Sequence, residues 1–273
     1  MTTCPHNDPS RWTLPPLQVD DHKYTRGHAL ILGGAVMTGA ARLAALAAQR
    51  TGAGLVTILA PAEVWPIYAA SMLSVITRPL VHGAWDAMML DARVTAVLAG
   101  PGAGINDTLR ESILAALEAK KKLVLDADAI TLLACDASLR GKLANTILTP
   151  HEGEYLALAS ALRLDTTADK PTRAMVLAQR LGAIVLLKGA DTCIATPDGA
   201  CIRNDNGPVW LATGGTGDVL AGMITGLVAQ GMPLFDAACA GAWIHGAAAQ
   251  TFGPGMIAED LLIEIPATLQ SIP

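Results

Sequence analysis

Aromatic residues are scarce in this sequence: Phe, Tyr and Trp together make up 4% of its 273 residues. An all-β sandwich needs large inward-facing side chains on both sheets, so this composition excludes it more than it does small-residue helices packed on a sheet. Charge is sparse as well, at 16%, and the formal balance of -5 provides no basic field for a polyanion. Nucleic acid is therefore not an expected partner. The five cysteines (Cys4, Cys135, Cys193, Cys201, Cys239) are odd in number and contain no C-x-x-C pair, which excludes a disulfide framework and leaves reduced thiols as the expectation. No run of apolar residues is long enough to span a membrane; the longest, Val219 to Gly231, falls short of the about 18 to 20 residues required. The first twenty residues lack the basic start and apolar run of a secretory signal, so a cytoplasmic protein is expected. The histidines His6, His22, His28, His82 and His245 show no zinc spacing, and a G-x-S-x-G elbow is missing.

What is present is 52% hydrophobic residue content and a mean hydropathy of +0.40, enough for a sizeable core and suggestive of buried subunit contacts. The apolar runs alternate with helical stretches. His28 to Leu32, Leu55 to Ala60, Thr95 to Ala99, Leu123 to Leu125, Thr146 to Thr149 and Ala183 to Leu187 read as strands. Helices are expected after Thr38, taken as an N-cap, and from Asp107, Glu152, Asp218, Phe235 and Ile257. Thr192 to Thr196 and Ala200 to Arg203 form a hairpin across Pro197-Asp198-Gly199, so a mostly parallel sheet should end antiparallel. With no long linker or internal repeat, one α/β domain over residues 1–273 is expected.

The most informative local pattern is Thr213 to Gly222, where Gly214, Gly215, Thr216 and Gly217 precede Asp218 at the start of an apolar helix. Consecutive small residues free backbone N–H groups to converge on an anion, making Gly215, Thr216 and Gly217 an expected anion hole. Asp218 beside it is either a base for a substrate hydroxyl or a helix cap. A P-loop is missing, and no clean G-x-G-x-x-G follows the first strand, so the common ATPase and dehydrogenase folds do not account for the turn. At other strand ends Asp126 and Asp128 could hold Mg²⁺ through water or cap the next helix. Lys188 could pair a phosphate or be a solvated edge charge, and His151 could meet a phosphate or an amide or be a loop residue.

Ordered motifs add to this turn. They are Met37-Thr38-Gly39-Ala40 with Arg50 to Val56, Ala99 to Gly104, Val124 to Ala129, Leu148 to Glu154, Leu187 to Thr192 and Thr213 to Gly222. Together they resemble the ribokinase-like superfamily and, within it, the ADP-dependent NAD(P)H-hydrate dehydratases, over a core of about residues 25 to 265. Ala212 and Thr216 differ from the residues usual in sugar kinases of that superfamily, and Asp218 stands where the thiazole and hydroxymethylpyrimidine kinases usually have Cys. Gly33-Gly34 and Met37-Thr38 depart from the dehydratase pattern, which commonly has Gly-Ser and an aromatic residue there.

The resemblance implies a three-layer α/β/α fold and ADP-dependent dehydration of the S epimer of NADHX or NADPHX, a lyase reaction in nicotinamide nucleotide repair, with Mg²⁺ accompanying ADP. It implies Asp218 as the catalytic residue, Ala40, Gly104, His151 and Asp218 at the hydrated nicotinamide nucleotide, and Lys188, Gly189, Ala190, Asp191, Thr192 and Gly217 at ADP. An ATP-dependent kinase of a small alcohol, such as a vitamin precursor or sugar, and a non-catalytic nucleotide-binding regulator are the alternatives. About twenty-five residues precede the first motif, too few for the N-terminal epimerase domain of many relatives, so a separate NAD(P)HX epimerase is the expected functional partner. A homo-oligomer is also implied, with a tetramer as the suggested size.

Overall fold

The computed structural model describes residues 4–141 and 143–272. Its frame is a nine-stranded sheet in the order β3-β2-β1-β4-β5-β6-β7-β8-β9. The strands are β1 (His28–Leu32), β2 (Leu55–Pro61), β3 (Ile76–Leu80), β4 (Val94–Ala99), β5 (Lys122–Leu125), β6 (Thr146–Leu148), β7 (Ile184–Leu187), β8 (Thr192–Ala195) and β9 (Cys201–Asn204). The first seven pair in parallel, and β8 and β9 close the edge antiparallel, as the hairpin signal predicts. Every residue of β1 is buried, the pattern of a central strand covered on both faces. From β1 the chain winds first towards β3 and then, after β4, the opposite way, so the order reverses between β1 and β4. Open α/β sheets bind ligands at such a reversal, outside the carboxyl ends of the strands.

Among the described residues ten α-helices cover the sheet: α1 (Thr38–Arg50), α2 (Trp65–Ser71), α3 (Ala84–Leu90), α4 (Asp107–Glu118), α5 (Asp128–Cys135), α6 (Glu152–Leu162), α7 (Lys170–Leu181), α8 (Thr216–Ala229), α9 (Leu234–Phe252) and α10 (Ala258–Gln270). One apolar layer holds α1, α8, α9 and α10, and the other holds α3 to α7. These are the expected three layers. Among the described residues no helix is long and apolar enough to cross a membrane. Thr38 is the first helical residue rather than the N-cap, which is Met37 and makes no side-chain capping bond.

The α1–α8 contact fixes the geometry of the site. A Cβ on Gly222 would lie 2.1 Å from the Ala44 carbonyl oxygen, and one on Gly226 would lie 2.5 Å from that of Ala48. The helices therefore run parallel, four residues of one matching four of the other. Continued back one turn, the same register brings Ala40 level with Asp218. Ala41, Ala44, Ala45 and Ala48 supply the flat face that this approach needs. Gly222→Ala is expected to destabilise the fold by about 1–3 kcal/mol, as overpacking does elsewhere. Urea denaturation would show the loss as a lower midpoint with an unchanged slope.

Candidate active site

The carboxyl ends of β1, β4, β5, β6 and β7 meet the N-terminus of α8. The loops after β1 and β4 touch backbone to backbone: a Cβ on Gly34 would lie 1.7 Å from the Gly102 carbonyl oxygen, and Met37 N donates to that oxygen at 3.2 Å. Gly104 follows with φ 74 and donates its N–H to Asp128 Oδ2 at 2.7 Å. Between Asp126 and Asp128, Ala127 is held at φ 50, a left-handed conformation that costs a residue with a Cβ on the order of 1–3 kcal/mol. This bend turns the two carboxylates to separate tasks. Neither caps α5, whose N-cap is Ala127 without a side-chain bond.

The Gly-rich turn has the predicted form. Gly215 is left-handed (φ 89) and N-caps α8, while Thr216 Oγ1 donates back to the Leu211 and Thr213 carbonyls at 2.9 and 3.0 Å. The first-turn amides of Thr216, Gly217 and Asp218 have no backbone acceptor among the described residues, so they are available to an anion. Asp218 is not a cap. Its carboxylate makes no hydrogen bond to the described residues, and burial, with Asp126 nearby, raises its pKa to about 6. A carboxylate that is poised to accept a proton near neutral pH, and committed to nothing else, is suited to act as a base.

Lys188, at the end of β7, is the cation of the site. Its Nζ donates to Asp126 Oδ1 at 2.7 Å, and Thr149 Oγ1 donates to the same oxygen at 2.8 Å. Burial works against the ammonium, but Asp126, Glu154 and Asp218 around it prevail and raise its pKa above the ordinary value. Burial raises Glu154 in turn. Lys188 is thus a buried, paired charge rather than a solvated edge residue.

A cavity of about 510 Å³ opens beside Lys188. Gly189, Ala190, Thr192 and Gly217, four of the residues expected at ADP, line it, whereas the Asp191 carboxylate turns away to Lys170 Nζ at 3.0 Å. A second cavity, of about 280 Å³, lies by Gly33 and Ala103 at the ends of β1 and β4. Ala40 sits buried in the first turn of α1. His151 is the N-cap of α6: its Nδ1 accepts from Glu154 N at 3.2 Å, and Glu154 Oε2 accepts from His151 N at 2.8 Å. This reciprocal box engages one ring nitrogen, while the other lies 3.5 Å from Glu154 Oε1.

Sequence reasoning does not find Lys170, Asn204 or His245. Lys170 is buried under the loop between β7 and β8 and also donates to the Lys188 carbonyl at 3.0 Å; in the sequence it is merely the residue before Pro171 at a helix start. Asn204 and His245 line the large cavity from β9 and α9, elements that carry no motif. His245 Nε2 lies 2.9 Å from the Thr216 carbonyl oxygen, which can only accept, so the proton is on Nε2. Burial depresses the His245 pKa to about 4. Its folded pKa lies below its ordinary 6.5, so the unfolded chain takes up the proton first as pH falls. The His245 contribution to stability should be lost between about pH 6.5 and 4, and His245→Gln should remove that loss from a stability–pH curve measured by denaturation.

This sheet, with a Gly-rich cradle and a free carboxylate at the opening of α8, defines the ribokinase-like class. A ribokinase-like superfamily protein of Enterococcus faecalis has the same fold at a TM-score of 0.81 and 22% identity, over 95% of this chain and 92% of that one. The sequence profile of the NAD(P)H-hydrate dehydratase family matches residues 29–267, and the chain belongs to that family. The ADP-dependent (S)-NAD(P)H-hydrate dehydratase of Neisseria meningitidis is 37% identical over 244 residues, covering 84% of this chain and 78% of that protein. The bifunctional NAD(P)H-hydrate repair enzyme of Escherichia coli is 36% identical over 96% of this chain and 50% of its own length. The chain thus spans about half the length of the bifunctional relatives it matches. The ADP/ATP-dependent NAD(P)H-hydrate dehydratase of Bacillus subtilis, co-crystallised with ATP and Mg²⁺, superposes at a TM-score of 0.84 with 28% identity, over 100% of both chains.

Proposed function

We propose that the chain dehydrates the S epimer of NADHX or NADPHX to NAD(P)H at the expense of ADP, releasing AMP and phosphate. The observation that carries this reading is the uncommitted Asp218 carboxylate, raised to about 6, beside an anion cradle and level with Ala40. Asp218 accepts the proton of the C6 hydroxyl as that oxygen attacks the β-phosphorus of ADP in line. AMP leaves, and the amides of Gly215, Thr216 and Gly217 stabilise the charge on the transferred group. Phosphate then departs from C6 while the neighbouring ring carbon gives up a proton, which restores the dihydropyridine. The nucleotide lies in the large cavity along Lys188 to Thr192, and the hydrate lies towards Ala40, Gly104 and His151.

The donors fit a Mg²⁺ carried by the nucleotide. They are hard carboxylate oxygens, and Asp126 Oδ2 and both Asp218 oxygens make no hydrogen bond among the described residues, unlike Asp126 Oδ1. Asp126 and Asp218 would hold the ion through water, and when bound it would neutralise the phosphate oxygens. The same reading includes functional coupling to an NAD(P)HX epimerase, a homo-oligomeric assembly and a place in the cytoplasm.

Mixed NADHX epimers incubated with ADP or ATP test the activity. The reading requires the NADH absorbance band to return together with AMP and phosphate from ADP. A phosphorylated product that accumulates without the band would make the chain a kinase. Tight nucleotide binding without turnover would make it a regulator.

A further inference from the structure

Three of the five cysteines converge at the antiparallel edge of the sheet. The N-terminal segment lies alongside β9, with Arg203 N donating to the Pro5 carbonyl at 2.8 Å and Asn7 N to the Arg203 carbonyl at 2.7 Å. This parallel pairing sets His6 against Arg203. Two residues back on each strand, it sets Cys4 against Cys201 on the same face of the sheet. In the antiparallel pair, Cys193 lies opposite Arg203, and so on that face too. The three Sγ atoms lie within 4.8 Å of one another, with Cys4 and Cys201 only 2.8 Å apart. Cys193 and Cys201 are buried, and half-buried Cys4 leaves a way in.

We propose that Cys4, Cys193 and Cys201 form a site for one soft, thiophilic d¹⁰ cation of the Cu⁺ or Zn²⁺ kind. All three donors are sulfur, which selects soft ions over Mg²⁺ or Ca²⁺. Thiolates about 2.3 Å from a common centre lie about 4 Å apart, so the triangle needs Cys4 and Cys201 to separate slightly and nothing else to move far. A disulfide would use two of the thiols and leave the third beside it without a role, whereas a shared cation uses all three. Arg203 lies near Cys4 and offsets part of its thiolate charge, while near Cys193 the Lys170 ammonium is paired with Asp191. Binding would release the thiol protons to solvent as the thiolates form. The bound ion would tie the N-terminal segment, β8 and β9 together immediately behind Thr192 of the nucleotide loop.

Titration of the reduced whole chain with Cd²⁺ alone tests this. A thiolate-to-cadmium absorption band should saturate at one ion per chain, and three of the five thiols should become resistant to alkylation. Cys201→Ser and Cys193→Ser should each weaken binding on the order of 100-fold, at least the upper end of what loss of an outer-shell partner costs. Exposed Cys135→Ser should bind as the parent does. Failure of the band to saturate at one ion, or equal binding by Cys201→Ser, would overturn the site. So would recovery of Cys4 and Cys201 as one cross-linked peptide from metal-treated protein. If circular dichroism shows the serine variants unfolded, the pattern of protected thiols in the parent chain decides by itself.

Discussion

Asp218→Asn is expected to reduce turnover by about 10²- to 10⁴-fold, the usual contribution of a positioned general base, and at the same time to make the protein more stable. The two effects have one cause. Burial and Asp126 raise the folded pKa of Asp218 from 3.8 to about 6, so ionising it costs the native state free energy that it does not cost the unfolded chain. Below about pH 3.8 the group is protonated in both states and the cost is absent; it grows between 3.8 and about 6, and above that it is complete. At neutral pH it amounts to about 3 kcal/mol, which Asn would largely recover. Denaturation at pH 7 and pH 4 separates these cases, since the gain should shrink at the lower pH. In the parent enzyme kcat/KM should fall below about pH 6 as the base becomes protonated. Full activity in the Asn variant would remove the carboxylate from the chemistry.

Lys188→Met should be the most damaging change in the nucleotide half of the site. Asp126 is 1% exposed and relies on Lys188 for its counter-charge, so removing the ammonium strands a buried carboxylate. Breaking one side of a buried pair costs on the order of 3–5 kcal/mol. The double variant Lys188→Met with Asp126→Asn removes both charges and should regain most of that stability. ADP affinity should not return with it, because the phosphates would still lack their cation. Calorimetric titration with ADP alongside denaturation would show stability and binding separating. If ADP bound the double variant as tightly as the parent, Lys188 would have only a structural role.

The central sheet was legible because β1, β2, β4, β5 and β7 are short continuous apolar runs, the mark of strands covered on both sides. β3 was not. Its residues Ile76-Thr77-Arg78-Pro79-Leu80 are half polar and include a proline, as suits a sheet edge, so no run announces it. Helices α2, α3 and α5 are each about two turns long, too short for periodicity to mark. At the site, Asp218 and the cradle were visible because glycines that free a backbone are a local signal. Lys170, Asn204 and His245 were hidden because each acts through a partner distant in sequence: Asp191 for Lys170, the Thr216 carbonyl for His245, and Asn7 for Asn204. Such contacts exist only once β8, β9 and α9 have come together.

The Gly222–Ala44 approach also bears on how the site behaves as the molecule warms. At Gly222 and Ala44 backbone is pressed against backbone, with no side chain between them that could swing to loosen the fit. Asp218 on one helix and the neighbouring wall at Ala40 on the other therefore share a single rigid body. Their spacing cannot drift gradually with thermal motion; it is kept until the two helices part, and they part only when the whole layer melts.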